Sequence, residues 1–150
     1  MKRAAGAFVV SALGIAVASA QPGGDPAAAS LATTLAAVRD QRSAQLTTTG
    51  RRSGKPHTVT VWFVVDGDAI YLTTLDPSRD WVRNAKKTPE VRLHFGGTVL
   101  AGRLRVVTDA TLEARIREAL RDKYWIAWVG GLLGQGPKEV YVIEALQPAA

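Results

Sequence analysis

A run of alternating side chains over residues 57–65 constrains the fold more than any other feature of the sequence. Along this run, Val59, Val61, Phe63 and Val65 alternate with Thr58, Thr60, Trp62 and Val64. Successive side chains of a β-strand point to opposite faces of a sheet, so the run predicts a strand with one buried and one semi-polar face. We interpret Trp62 as an aromatic residue that packs on this sheet, and the alternative is that it forms a wall of a cofactor site.

Five further segments predict strands joined by short turns. They cover residues 44–49, 69–74, 91–95, 99–107 and 138–146. Glycine-containing turns, "DGD" at 66–68 and "GG" at 96–97, separate neighbouring strands in the manner of hairpins. Few of the connections are helical, which favours an antiparallel barrel over a parallel α/β sheet. We therefore predict a mainly β (α+β) fold, a closed or partly open barrel of about six mostly antiparallel strands with flanking helices.

Three helices are predicted around these strands. The first precedes the sheet, where Leu31, Leu35 and Val38 recur at helical spacing and Asp25 or Ser30 can cap the start. The second lies in "RDWVRNAKK" and is expected to end just before the proline of "TPE". The third is "TDATLEARIREALRDKYW", an amphipathic helix expected to cover an end of the barrel.

The N-terminal segment predicts export. A basic dipeptide precedes an Ala-rich apolar run, and Ala-Ser-Ala ends at Ala20. This order is typical of a secretory signal peptide over residues 1–20. Residues 21–29 are rich in Pro, Gly and Ala and predict a flexible linker, so the folded domain is expected over residues 30–150. We expect a periplasmic or extracellular protein, with an uncleaved N-terminal anchor that keeps the domain near a membrane as the alternative.

The composition excludes several kinds of site. The chain has no cysteine, so disulfides, thiol nucleophiles and thiolate metal sites are excluded. The two histidines, His57 and His94, lie far apart in the sequence, and we predict no metal site. The net charge of +6 would fall to +4 without the predicted signal peptide, and its cations are spread over several segments. One local anion site is therefore expected rather than specific binding of nucleic acid.

The basic turn "GRRSGK" at residues 50–55 is the first candidate anion site. Gly50 and Gly54 are expected to adopt positive φ angles, which would point backbone N–H groups into a common concavity. Charge comes from Arg51, Arg52 and Lys55, and a hydroxyl donor from Ser53. This chemistry suits a phosphate or a carboxylate. The alternative is a solvated hairpin that binds nothing.

The segment "DPSRDW" at residues 76–81 is the second candidate. Ser78 is predicted to cap a helix whose first turn holds Arg79, and the N-terminus of a helix presents unpaired N–H groups to an anion. The alternative is that Ser78 only caps the helix and Trp81 only packs. Together the two segments would suit a long ligand with a phosphate group and an aromatic ring.

Two blocks of sequence carry a family resemblance. The stretches "LTTTGRRSGKPHTVTVWFVVDGDAIYL" and "SRDWVRNAKKTPEVRL" resemble the deazaflavin-dependent nitroreductase family, within the split β-barrel superfamily that includes pyridoxamine phosphate oxidase-like flavoproteins. The likeness is clear over residues 46–95 and follows the order of elements elsewhere. It implies a split β-barrel with a cofactor in a groove, its phosphate at the basic turn and its ring near the loop before the tryptophan-containing helix.

The resemblance also implies which residues contact the cofactor. The phosphate and acidic tail would be held by Arg51, Arg52, Ser53 and Lys55. The ring and its side chain would be lined by Thr73, Thr74, Ser78, Arg79 and Trp81, with Asn84 supporting the loop. Many relatives have arginine where this chain has His57, so cofactor affinity here is expected either to be lower or to depend on pH. This chain also departs from the family pattern at "LDPSR", after the third predicted strand.

The activity implied is hydride transfer from the reduced deazaflavin coenzyme F-420 to a small acceptor, namely a quinone, a nitroaromatic or a conjugated enone. Tyr124 is the candidate proton donor, and the alternative is a tyrosine packed against the barrel. Two other functions remain open. One is an oxidoreductase with FMN at the interface of a homodimer, and the other is a non-catalytic exported barrel that binds an anionic ligand.

Overall fold

The computed structural model describes residues 25–129 and 138–150. In chain order its elements are α1 (Pro26–Val38), β1 (Ala44–Thr49), β2 (Pro56–Val61), β3 (Phe63–Asp66), β4 (Ala69–Thr74), α2 (Asp80–Lys87), β5 (Glu90–Phe95), β6 (Thr98–Val106), α3 (Ala110–Lys123), α4 (Trp125–Val129) and β7 (Glu139–Pro148). The prediction of a mainly β fold with flanking helices is confirmed. The predicted signal peptide lies outside the described residues.

The strands form a seven-stranded sheet in the order β2-β1-β5-β6-β7-β4-β3, in which neighbouring strands are antiparallel. Its two edge strands follow each other directly in the chain, because β2 ends at Val61 and β3 begins at Phe63. The sheet must therefore curve until its edges meet at Trp62, which produces a split barrel. The single strand predicted over residues 57–65 is thus divided at this tryptophan, and seven strands replace the six predicted.

The barrel interior is filled by the apolar side chains that the alternation predicts. Val61, Phe63 and Val65 are all buried, and Phe63 meets Phe95 edge to face with ring centroids 5.0 Å apart. Val59 is half-buried and packs against the same core. One face of β2 and β3 therefore points inward throughout, as expected for strands that line a closed core.

A second apolar cluster lies outside the barrel wall. Ile116 and Leu120 of α3 pack with Tyr71 of β4 and Val142 of β7. These two strands are consequently buried on both faces. The helix was predicted to cover an end of the barrel, but it covers the outer face of this wall, because the alternate side chains of β4 and β7 are apolar too.

The helices begin close to their predicted starts. Asp25 caps α1 by accepting a hydrogen bond from the N–H of Ala27 at 3.0 Å, so the last four residues of the predicted linker are helical. The N-cap of α2 is Arg79, without a side-chain cap bond, and the prediction that Ser78 caps this helix is wrong. No helix within the described ranges is long and apolar enough to cross a membrane.

Candidate functional site

The turn between β1 and β2, which we call the basic hairpin (residues 50–55), is closed by backbone hydrogen bonds. The N–H of Gly50 donates to the carbonyl of Lys55, and the N–H of Gly54 to that of Gly50, both at 2.8 Å. Gly54 has the predicted positive φ of 69°, whereas Gly50 does not, so that prediction is wrong. Space rather than backbone angle favours glycine at position 50, because a Cβ there would lie 2.5 Å from Ser53 Oγ and 2.9 Å from the His57 ring, and these side chains would have to shift.

Helix α2 holds the basic hairpin in place. Asn84 is buried, and its Oδ1 accepts hydrogen bonds from the backbone N–H and from Nη1 of Arg51, each at 3.1 Å. Arg51 also pairs with Asp80 at 2.9 Å, and Lys87 donates to the Arg51 carbonyl at 2.7 Å. The guanidinium of Arg51, which was predicted to hold a phosphate, therefore anchors the hairpin to the helix. Asn84 was predicted to support the loop before the helix, and in the structure it supports the hairpin.

A cavity of about 320 Å³, which we call the hairpin cavity, opens between the hairpin and α2. It is lined by Gly50, Arg51, Arg52, Ser53, His57, Asp80 and Asn84. Asp80 is its one acidic lining residue and is already paired with Arg51. Within the part of the chain that the structure describes, the exposed Arg52 has no side-chain partner, so its charge is available to an anion. Lys55 is exposed and is not part of this lining, so its predicted phosphate contact stays a prediction.

A second cavity, of about 220 Å³, lies beside the break between β2 and β3, and we call it the aromatic cavity. Its lining consists of Thr60, Val61, Trp62, Thr73, Thr74, Leu75, Arg79, Trp81, Leu120 and Tyr124. Trp81 does not fill the space, because its ring packs edge to face on Tyr141 with centroids 5.5 Å apart. Arg79 is the one charged residue of this lining, so the cavity suits a ligand that carries or develops negative charge.

The predicted ring contacts of Thr73 and Thr74 agree with this lining, whereas that of Ser78 does not. Thr73 Oγ1 donates to the carbonyl of Glu139, and Thr74 Oγ1 donates to that of Asp76, both at 3.0 Å. Their hydroxyl protons are used, and Thr74 Oγ1 also accepts from the N–H of Asp76 at 3.1 Å. Thr74 Oγ1 therefore has one lone pair left for an N–H of a ligand, and Thr73 Oγ1 has two. Ser78 is exposed, and its hydroxyl donates to the Asp76 carboxylate at 2.6 Å, which holds the pKa of Asp76 below its usual value.

The two cavities lie on either side of the first turn of α2. Arg79 and Trp81 line the aromatic cavity, whereas Asp80 and Asn84 line the hairpin cavity. Residues 79–84 thus contribute to both linings, which brings a basic cavity and an aromatic cavity to the same helix. Neither cavity holds a cluster of metal-ligating side chains, and none occurs elsewhere in residues 25–129 and 138–150.

Tyr124 lies at the base of the aromatic cavity, but its hydroxyl is occupied. It accepts a hydrogen bond from the N–H of Phe63 and lies 3.0 Å from the carbonyl oxygens of both Phe63 and Arg42. Burial raises the pKa of Tyr124, so its proton is held more tightly than in an exposed tyrosine. These contacts favour the packing alternative, and a role as proton donor stays a prediction without support from this geometry.

Trp62 is the residue of this site that the sequence analysis undervalued. In the structure it stacks on Tyr124 and also lines the aromatic cavity, and its role as the wall of a cofactor site stays a prediction. Its position on the semi-polar face of the strand, beside Thr58 and Thr60, was the available signal. Leu75 and Leu120 also line the cavity, and nothing in their sequence context distinguishes them from ordinary core or turn residues.

Solved structures with a similar fold differ in what they bind. A reductase dependent on F-420-H2 is 20% identical and has a TM-score of 0.56 over 69% of this chain and 95% of its own. The heme storage protein HutZ from Vibrio cholerae is 18% identical, with a TM-score of 0.57 over 80% of this chain and 91% of its own. A heme binding protein from Mycobacterium smegmatis is 19% identical, with a TM-score of 0.59 over 84% of this chain and 59% of its own. At such identities the likeness shows the fold alone.

The sequence itself identifies the family. No curated protein matches it. However, the family model described as pyridoxamine 5'-phosphate oxidase matches residues 30–147, which include all seven strands except the last residue of β7. This range also contains the basic hairpin, α2 and both cavities. The chain therefore belongs to the pyridoxamine 5'-phosphate oxidase family of split β-barrel proteins.

Proposed function

We propose that this protein is an oxidoreductase that binds a flavin-type cofactor, with the deazaflavin F-420 as the first candidate. The main support is the pair of adjoining cavities around α2, because one offers an unpaired cation and the other offers aromatic walls. A cofactor with a phosphate at one end and a conjugated ring at the other matches both. The cavities separately are small for such a ligand, so the proposal requires that it occupy the two together.

The residues present fit this cofactor. Arg52, Ser53 and His57 would bind its phosphate end, and the free lone pairs of Thr73 and Thr74 would accept hydrogen bonds from ring N–H groups. When bound, such a ring supplies the hydride, so the protein needs no nucleophile of its own.

The aromatic cavity has two further tasks in this proposal. Trp81 and Leu75 would keep water from the ring, and the Arg79 guanidinium would stabilise negative charge that develops in the cavity. The acceptor would be a small conjugated molecule such as a quinone, a nitroaromatic or an enone. Such an acceptor gains negative charge as it is reduced, which suits a lining with one cation and no carboxylate.

The direct test is titration of the purified protein with F-420 and with FMN, followed by fluorescence. We expect binding of one of them, and we expect Arg52→Ala to weaken it by about tenfold or more, since a hydrogen bond to a charged group contributes roughly 1.5–3 kcal/mol. Arg83→Ala is the matched control. Arg83 lies on α2, is exposed like Arg52, and lines neither cavity. If the wild-type protein bound neither cofactor at high micromolar concentration, the proposal would be wrong.

FMN is the second candidate, and the family assignment favours it. The two candidates separate in one absorption spectrum of the purified protein, because the flavin and deazaflavin rings absorb maximally at different wavelengths. Binding without turnover of any acceptor would instead favour the non-catalytic alternative, and the heme-binding proteins of similar fold give that alternative some weight. Export after residue 20 and assembly into a homodimer both stay predictions.

A further inference from the structure

Trp62 occupies an unusual position for a large aromatic side chain. It is the single residue between β2 and β3, where the two edges of the sheet meet. Its side chain points away from the barrel core into the wall of the aromatic cavity and is 38% exposed. An exposed indole in the wall of a cavity has apolar area that only a ligand can cover.

One face of this indole is covered by Tyr124. The two rings are nearly parallel, with centroids 4.6 Å apart and an interplanar angle of 5°. The Tyr124 hydroxyl is in turn bound to the backbone N–H of Phe63, the residue that follows Trp62. The same tyrosine therefore fixes both the indole and the start of β3, which follows it. The Arg42 guanidinium lies 5.3 Å from the centroid of the tyrosine ring, and the Arg42 backbone carbonyl accepts a hydrogen bond from the Tyr124 hydroxyl.

We propose that the open face of Trp62 stacks on the conjugated ring of the ligand, and that Tyr124 is the positioning residue that holds the indole for this contact. This inference rests on the proposed function, and it gives the aromatic cavity a selectivity for planar fused rings. Preorganisation matters here, because an indole already held by Tyr124 loses little rotational freedom when the ring arrives. Arg79 lies in the same lining, and its guanidinium would attract the face of the ring through a cation–π interaction.

The test compares Trp62→Ala, Trp62→Phe and a matched control, Trp125→Ala. Trp125 is 59% exposed and does not line the aromatic cavity. Affinities for FMN and for F-420 are measured by fluorescence titration, together with the emission of bound FMN, which a stacked indole quenches. A thermal unfolding curve of each variant checks that it is folded.

Removing an aromatic side chain on which a base stacks costs roughly 1–3 kcal/mol of binding free energy, so Trp62→Ala should bind about 5- to 150-fold more weakly. Trp62→Phe should bind within about fivefold of wild type, since a phenyl ring still stacks, but bound FMN should be brighter. Tyr124→Phe keeps the stacked ring, so quenching should persist. The control should behave as wild type.

Two negative results are distinguishable. If the wild-type protein binds a cofactor and Trp62→Ala binds it equally well with unchanged emission, Trp62 is only a surface residue and the inference is wrong, while the proposed function survives. If the wild-type protein binds neither cofactor, the proposed function and the inference both fail. A folded Tyr124→Leu variant, which lacks the ring stacked on Trp62, should lose affinity and quenching; if it kept both at wild-type levels, the positioning role would be wrong.

Discussion

Replacement of Asn84 by alanine tests how the basic hairpin is held in place. The Asn84 side chain is only 2% exposed, and it bridges three groups from two elements. Its Oδ1 accepts from the backbone N–H and the guanidinium of Arg51, and its Nδ2 donates to Thr48 Oγ1 at 3.4 Å. Alanine would remove all three contacts and leave the partly buried N–H of Arg51 without a partner.

The size of the effect follows from these contacts. Loss of the bond to the Arg51 N–H should destabilise the fold by about 1 kcal/mol. The guanidinium bond should add about 1 kcal/mol, because the Arg51 side chain is mostly buried but retains Asp80. The bond to Thr48 is long and adds less. The free energy of unfolding should therefore fall by about 2–3 kcal/mol, which lowers the Tm of a chain of this length by roughly 4–10 °C.

Thermal and urea unfolding of the purified protein would measure this change. Asp80→Asn is the control, since it removes only the ion pair of a carboxylate that is 80% exposed, and it should change stability by less than about 0.5 kcal/mol. The Asn84→Ala variant should also bind a cofactor less tightly, because its hairpin is no longer fixed. An unfolding free energy within about 0.5 kcal/mol of wild type would show that the Asn84 side chain does not hold the hairpin.

Two further predictions concern other parts of the barrel. Burial lowers the pKa of Lys123 to about 8 from 10.5, so between these pH values the unfolded chain holds a proton that the folded protein has lost, and stability should rise with pH. Lys123→Met should abolish this rise and increase the Tm at pH 7, as measured by melting curves from pH 7 to 10. Gly102→Ala should lower stability by about 2 kcal/mol, because its Cβ would lie 2.6 Å from Ile143 Cγ2 and 2.9 Å from the Glu144 carbonyl oxygen. Gly97→Ala, with nothing within 4 Å of its Cβ, should unfold as wild type does.

The strands were predictable because their signal is local. The bounds of β1 and β4 match the prediction, since alternation and turn glycines lie within the segments themselves. The end of α2 at Lys87 was predicted as well, because Pro89 excludes the helical conformation at Thr88. Its start was misplaced by one residue. Ser78 directs both its N–H and its hydroxyl to the Asp76 carboxylate, and that local turn competes with capping of the helix.

The candidate site was predicted only in outline. The sequence "GRRS" presents two adjacent arginines as equivalent, but one of them is bound to α2 and the other is not. That difference depends on a helix some 30 residues further along the chain, and no local pattern contains it. The same holds for Tyr124, whose hydroxyl is occupied by a strand that lies 61 residues away.

The amino-acid sequence alone determined the strand pattern, the glycine turns, the absence of thiols and the location of a basic hairpin. The strands and turns follow from interactions among neighbours in the chain, and the rest is composition. Tertiary structure alone decided that the two edges of the sheet meet at Trp62. It also decided that the Arg51 side chain binds α2, whereas the Arg52 side chain has no partner among the described residues. These features depend on contacts between distant segments, and the burial of those segments is settled only when the barrel closes.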